Sequence, residues 1–338
     1  MNVFFCCKDT IKCAYFGNIY YGYFNQNYGK SQKSRIFAPE MEQILKVHSV
    51  NDYARYIGAP VLHPLVSVIH YDELEHLRHS LNNYDVYGLF IGDETLEGLT
   101  YGLTTYDLHR HALMCVAPGQ IGGKADTGEE IQTKGWALLF DPELLHGTDL
   151  EQRMSAFTYF SYNTNEALPM TDEQRHTIVT LLEEIRQEAS TDTDDHSRHI
   201  LVGRIGLVLE YVGRFYARWL STPSKEKSDL LTRFENLLVR YYRNGLSRQL
   251  GLPTVRYCAQ ELFLSPNYFG DLIRQLTGDT ATAIIRRFLM ARAKELLASG
   301  MPVAETAERL GFDYPQHFTR QFKNHFGLTP TDFLKSRR

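Results

Sequence analysis

The apolar positions change their period along the chain. Up to about Tyr162 they form short runs at 65–70 (LVSVIH), 87–91 (YGLFI), 112–117 (ALMCVA), 135–140 (GWALLF) and 156–160 (AFTYF), broken by turn residues such as Pro118-Gly119 and Gly122-Gly123. Runs of this kind predict an antiparallel sandwich or small barrel, with 119–123 (GQIGG) as a turn between strands. After Pro169 the period is helical. Thr171 with Gln174 predicts a capping box, and Ile178, Leu181, Leu182 and Ile185 share one face of the helix it opens. Beyond the acidic 191–195 (TDTDD), a second helix carries Ile200, Ile205, Leu209, Val212, Phe215 and Trp219. Its stripe is longer than a small barrel needs, which predicts a surface for a second copy of the chain. The polar 221–228 (STPSKEKS) has linker composition and marks a domain boundary.

The last third contains an internal repeat. Val255, Ala259 and Leu262 recur 48 residues later as Val303, Ala307 and Leu310, and Pro266-Asn267-Tyr268-Phe269 recurs 49 residues later as Pro315-Gln316-His317-Phe318. Each unit reads as a helix-turn-helix. The small Ala lets a second helix cross closely, Ser265 and Pro266 supply a cap and a first helical residue, and Phe269, Leu272, Ile273 and Leu276 form the buried face. In the second unit Gly311 ends the first helix, Phe312 packs back, and Phe318 and Phe322 anchor the second. Positions 279–298 read as one connecting helix, a rod of about 28 Å, which matches two recognition helices set about one DNA turn apart. Hydrogen-bonding side chains (Asn267, Tyr268, Gln316, His317, Arg320) cluster at the starts of both second helices, where base edges are read, which a plain solvated bundle does not explain.

Charge supports that reading. The net charge is -4, but residues 1–230 carry 20 Lys+Arg against 31 Asp+Glu, while 231–338 carry 16 against 9. The basic third suits a polyanion. With 338 residues, 43% hydrophobic and 22% charged, the chain is long enough for two or three globular domains, and it contains no stretch of about 18 apolar residues. A cytoplasmic protein is expected, its five cysteines reduced because none shows metal or disulfide spacing. Residues 1–40 hold three of those cysteines, five Tyr and five Phe with no period, and are expected to be either a flexible extension or an artefact of start-site choice, in both cases outside the fold.

The stretches ARAKELL (291–297), AERLGF (307–312), Phe318-x-Arg320-x-Phe322-Lys323 and GLTP (327–330) with Phe333 resemble the AraC/XylS family of bacterial transcription regulators. The resemblance is close over 255–333 and general over 64–220. It implies an α+β multidomain chain: a cupin-like β-barrel at 41–165, a helical dimerisation segment and linker at 166–228, and an all-α double helix-turn-helix DNA-binding domain at 229–338. It implies contacts to double-stranded DNA from Asn267, Tyr268, Gln316, His317 and Arg320, joined by Lys323 and Arg274. Gly270 and Asp271 depart from the polar or basic residues common there, so the first unit is expected to read fewer bases. A homodimeric activator working beside RNA polymerase, answering a small-molecule effector in the N-terminal domain, is the expectation.

Tyr106, His109, His111 and Trp136 are the candidate effector contacts. His109-x-His111 before an apolar strand also resembles the metal pair of cupin enzymes, and a metal-dependent cupin enzyme fused to a DNA-binding module is the alternative. That pattern lacks its downstream Glu, since Met114, Cys115 and Val116 follow, and only His146 is available as a later His. Three converging ligands are needed. No metal, cofactor or catalytic group is therefore expected, and no phosphate-binding or nucleophile motif occurs.

Overall fold

The computed structural model describes the backbone of residues 5–7, 10–12, 14–15, 18–19, 44–75, 77–101, 104–108, 111–124, 126–163, 166–223 and 225–336. The chain divides into two compact units, 1–41 and 42–338. In the first, Phe5–Cys7 pairs with Thr10–Lys12 and Ala14–Tyr15 with Asn18–Ile19, both antiparallel. The second carries the repeat and the sheets.

Two five-stranded sheets build its N-terminal half. We number strands β1 Ile44–Val47, β2 Val66–His70, β3 Leu81–Tyr84, β4 Tyr87–Gly92, β5 Leu96–Tyr101, β6 Thr104–Leu108, β7 Ala112–Val116, β8 Gln120–Gly123, β9 Gly135–Phe140 and β10 Leu168–Pro169. One sheet has the order β6-β5-β8-β3-β1 and the other β10-β7-β4-β9-β2; only the β1–β3 pair is parallel. Among the described residues no hydrogen bonds join the sheets into a closed ring, so the container is two facing sheets.

Alternation on β9 explains how the half is layered. Ala137 and Leu139 face a core between the sheets, with Val47, Tyr53, Tyr71, Tyr84 and Val116. Trp136, Leu138 and Phe140 point the other way, into a core shared with the helices. Leu138 sits opposite Val68 and Leu89, and Leu89 opposite Cys115, giving a continuous apolar row across four strands. Burying each such side chain contributes about 1.5–3 kcal/mol.

Two expected features differ. Residues 156–160 form no strand but single turns at Met154–Ala156 and Thr158–Ser161. Their rings plug the space over the sheet, and the Tyr159 hydroxyl donates to the Leu209 carbonyl at 2.8 Å. The GQIGG segment is mostly strand β8, with the turn at Pro118-Gly119. Gly123 has φ +123°, and a Cβ there would meet the Ser80 carbonyl at 2.1 Å.

Helices α2 Asp172–Ala189 and α3 Ser197–Ser221 follow from their predicted faces, and a short helix that the sequence reading does not anticipate, α1, spans Val50–Tyr56. The Thr171–Gln174 capping box opens α2, and Ile178, Leu181, Leu182 and Ile185 are buried. On α3 the stripe is also buried within the chain: Ile205, Leu209 and Val212 are fully covered and Phe215 nearly so, packed on the sheet and α2. It is therefore core and not a surface for a second copy; Ile200 remains exposed. The expected linker is largely helix as well, since α4 spans Lys225–Arg243. Lys227 is buried and donates to the Leu220 and Thr222 carbonyls, closing the C-terminus of α3.

The repeat folds into α5 Val255–Glu261, α6 Pro266–Thr277, α7 Ala281–Ala298, α8 Val303–Arg309 and α9 Pro315–Phe326. The second unit has its own core, in which Ala307, Leu310, Phe312, Phe318 and Phe322 pack on Leu289, Met290, Ala293 and Leu297 of α7. The first does not. Cys258, Ala259, Phe269 and Ile273 belong to the same apolar core as β9, α2 and α3, so packing is continuous across the expected boundary near 229.

Candidate nucleic-acid interface

Each recognition helix is aimed by the turn before it. In the second unit Gly311 has φ +90°, its N–H donates to the Glu308 carbonyl (2.9 Å), and the Phe312 N–H donates to the Ala307 carbonyl (3.0 Å). This Schellman closure turns the chain from α8 into α9. The first unit repeats it with Phe263 at φ +61°, where the Phe263 N–H donates to Gln260 (3.0 Å) and the Leu264 N–H to Ala259 (2.9 Å). Ser265 then caps α6 by accepting from the Tyr268 N–H at 3.3 Å.

On α9 the buried Phe318 and Phe322 fix the inner face, and Gln316, His317, Arg320 and Lys323 are exposed on the other. On α6, Asn267 and Arg274 are exposed while Phe269, Leu272 and Ile273 are buried. Tyr268 departs from the expectation. It is buried, with its ring 5.3 Å from Tyr162 edge-on and 5.9 Å from Trp219, so it is a packing residue here. The sequence does not show this, because its partners lie 106 and 49 positions away.

The flank of α6 carries a polar junction with the N-terminal half. The Asp271 carboxylate accepts from the Tyr162 hydroxyl and the Thr158 hydroxyl, both at 2.7 Å. At the N-cap of α6, Glu166, 1% exposed, accepts from the Ser265 N–H (2.7 Å), the Ser265 hydroxyl (2.5 Å) and the Asn163 N–H (2.6 Å). Burial raises the Glu166 carboxyl above its ordinary value, and these donors partly offset the rise. Tyr162 is raised by burial too, which keeps its phenol a donor toward Asp271. Sequence reading flagged Asp271 only as a departure; Glu166, Thr158 and Tyr162 gave no signal.

Between the two sheets lies a cavity of about 380 Å³. Tyr53, Tyr71, Tyr84, Phe90, Met114 and Val116 line it, with Arg78, His79, Lys124 and Lys134 also on its wall and no Asp or Glu among the described residues. Asn82 also lines it, donates to the Tyr84 hydroxyl at 3.0 Å, and has a buried carbonyl oxygen without a hydrogen-bond partner.

Two of the four expected effector contacts lie away from this cavity. Trp136 lies on the opposite face of β9, stacked on His70 at 4.1 Å. His111, at φ +60°, lies 3.2 Å from the Asp172 carboxylate at the start of α2 and is not part of the cavity wall. His109 and the side chain of Tyr106 lie outside the described residues. His146 is exposed beside Glu151. Among the described residues no three His, Cys, Asp or Glu side chains converge to hold a metal, and no helix is long and apolar enough to cross a membrane. Cys115 and Cys258 are free and buried, the Cys258 thiol pushed up to about 12 by burial.

Residues 258–336 match the family described as a helix-turn-helix domain. The chain is similar to the transcriptional regulatory protein YesN of Bacillus subtilis, 32% identical over 96 residues that make up 27% of this chain and 26% of that protein. It is also similar to the regulatory protein PocR of Salmonella typhimurium, 34% identical over 93 residues, 27% of this chain and 30% of that one. These matches therefore span under a third of either relative. Among solved structures, ToxT of Vibrio cholerae aligns over 80% of this chain and 98% of that one, at 12% identity and a TM-score of 0.27.

Proposed function

We propose that the protein is a sequence-specific DNA-binding regulator of the AraC/XylS kind, controlled through its N-terminal half; the helix-turn-helix match over 258–336 and the similarity to the regulators YesN and PocR support this reading. One observation carries this reading. Two repeat units, each closed by the same Schellman turn, present Asn267 and Arg274 on one helix and Gln316, His317, Arg320 and Lys323 on another, all solvent-facing. Amide, imidazole and guanidinium groups at the start of a recognition helix suit base edges, and Lys323 and Arg274 suit phosphates.

In this reading the cupin-like double sheet holds a small effector in the cavity beside Asn82. A physical link runs from there toward the DNA-reading part. Strand β8, whose Gly122 and Gly123 line the cavity, also carries Gln120, which accepts from the Ala117 N–H (2.6 Å) and donates to the Phe160 carbonyl (2.9 Å). Phe160 lies in the turn that starts at Thr158, the residue bonded to Asp271. Activation beside RNA polymerase as a cytoplasmic homodimer completes the proposal, and the pairing surface is one other than the buried α3 stripe. No catalytic step is assigned. Selection of random duplexes by the full-length protein tests the DNA reading: recovery of one shared sequence pattern supports it, and recovery of unrelated sequences at equal strength contradicts it.

A further inference from the structure

The junction between Glu166, Thr158 and Tyr162 on one side and Ser265, Tyr268 and Asp271 on the other does more than join two halves. We propose that it holds the first recognition helix out of DNA, so that α6 reads bases only after the N-terminal half lets go. The inference rests on the DNA-binding reading above and names how that site is regulated.

A recognition helix enters the major groove by its first turns. On α6 those turns include Asn267, Tyr268, Gly270 and Asp271, and two of the three side chains these residues carry are already taken. Tyr268 is clamped between Tyr162 and Trp219, and Asp271 by the hydroxyls of Thr158 and Tyr162. A duplex phosphate or base edge at Asp271 and the turn Thr158–Ser161 compete for the same space. The anchoring is also strong in kind. Glu166 is buried and gives two acceptor oxygens to Ser265 at the positive end of the helix, where a carboxylate is favoured. Among the described residues the second unit shows no such anchor: the N-cap of α9, Tyr314, makes no side-chain cap bond and is exposed, as are Gln316 and His317. One recognition helix is thus free in this structure and the other is held, which also accounts for a carboxylate at position 271: its partner is the protein's own N-terminal half.

The test changes only residues outside the recognition helices. Thr158→Val with Tyr162→Phe removes both donors to Asp271 at nearly constant volume, and Glu166→Ala removes the acceptors from Ser265. The full-length proteins are titrated with a mixed-sequence duplex of about 40 base pairs at low salt, where backbone contacts dominate, and amide hydrogen exchange is followed across 266–277. The expected result is binding tighter by about fivefold or more in both variants, with faster exchange in α6. Binding at wild-type strength despite faster exchange, or exchange unchanged in both variants, overturns the lock and leaves the DNA-binding reading standing. No binding by any form, with α6 visibly opened, removes that reading together with the lock.

Discussion

Phe263 and Gly311 occupy the same place in the two repeat units, one residue past Leu262 and Leu310, and both adopt the left-handed backbone conformation, at φ +61° and +90°. Only one of them is glycine. The difference lies in the surroundings: a Cβ on Gly311 would meet the backbone of Gly251 at 2.6 Å and the Ser247 carbonyl at 2.8 Å, whereas the Phe263 side chain is 79% exposed.

Opposite responses follow at the two sites. Gly311→Ala costs at least about 2 kcal/mol, from left-handed strain plus contact with immobile backbone. Phe263→Gly gains about 0.5 kcal/mol, because relief of that strain outweighs the added freedom of the unfolded chain. Chemical denaturation of both variants measures the two signs, and equal destabilisation contradicts the account.

Arg186 forks onto Glu73 at 2.7 and 2.5 Å, joining α2 to the turn after β2, and this hydrogen bonding holds the Glu73 carboxyl at about 2. The folded value lies below the unfolded one, so the stabilisation is present above about pH 4.5 and is lost as pH falls toward 2. Glu73 is nearly half exposed, and screening reduces the effect to about 1 kcal/mol. Glu73→Gln is therefore expected to be less stable than wild type by that amount at pH 7, with the gap narrowed at pH 3 and closed near pH 2 in denaturant titrations across that range.

Leu209 is fully buried on α3, and its carbonyl accepts from Tyr159. Leu209→Asp places an unpaired charge in the core and costs more than about 4 kcal/mol. The variant loses its cooperative melt in circular dichroism. A folded variant with the wild-type melting temperature and a reduced mass in sedimentation would restore the stripe as a pairing surface.

Because α6 is engaged and α9 is not, Gln316→Ala with His317→Ala lowers duplex affinity by about 1–3 kcal/mol, while Asn267→Ala changes it by less than about 0.5 kcal/mol. Titration of each variant against one selected duplex decides the order, and the reverse order contradicts it.

The parts legible in the sequence were those fixed by local spacing. The Thr171 box, the α2 face, Ser265-Pro266 and the Phe318 and Phe322 anchors depend on neighbours within a turn or two, and each lies where its spacing put it. Contacts between distant segments carried no such signal. Residues 156–160 read like a strand, yet they form turns whose rings pack between the sheet and α3, Phe160 on Tyr87 and Phe140 and Tyr159 on Tyr216; the α3 stripe looks like surplus until β9 is seen to present Trp136, Leu138 and Phe140 toward the same helical core. Trp136 and His111 lie away from the cavity between the sheets for a related reason. Composition does not say which face of a sheet lines a cavity, and β9 is covered on both.

Arg320 is the most direct probe of the account. It stands one turn into α9, exposed, with its neighbours Phe318 and Phe322 locking the helix beneath it. Fluorescence anisotropy of wild type and Arg320→Ala on a duplex selected by the full-length protein, at fixed salt, is predicted to show a loss of about 1–3 kcal/mol, roughly 5- to 150-fold. Equal affinity of the two proteins for that duplex would contradict the placement of α9 in the major groove.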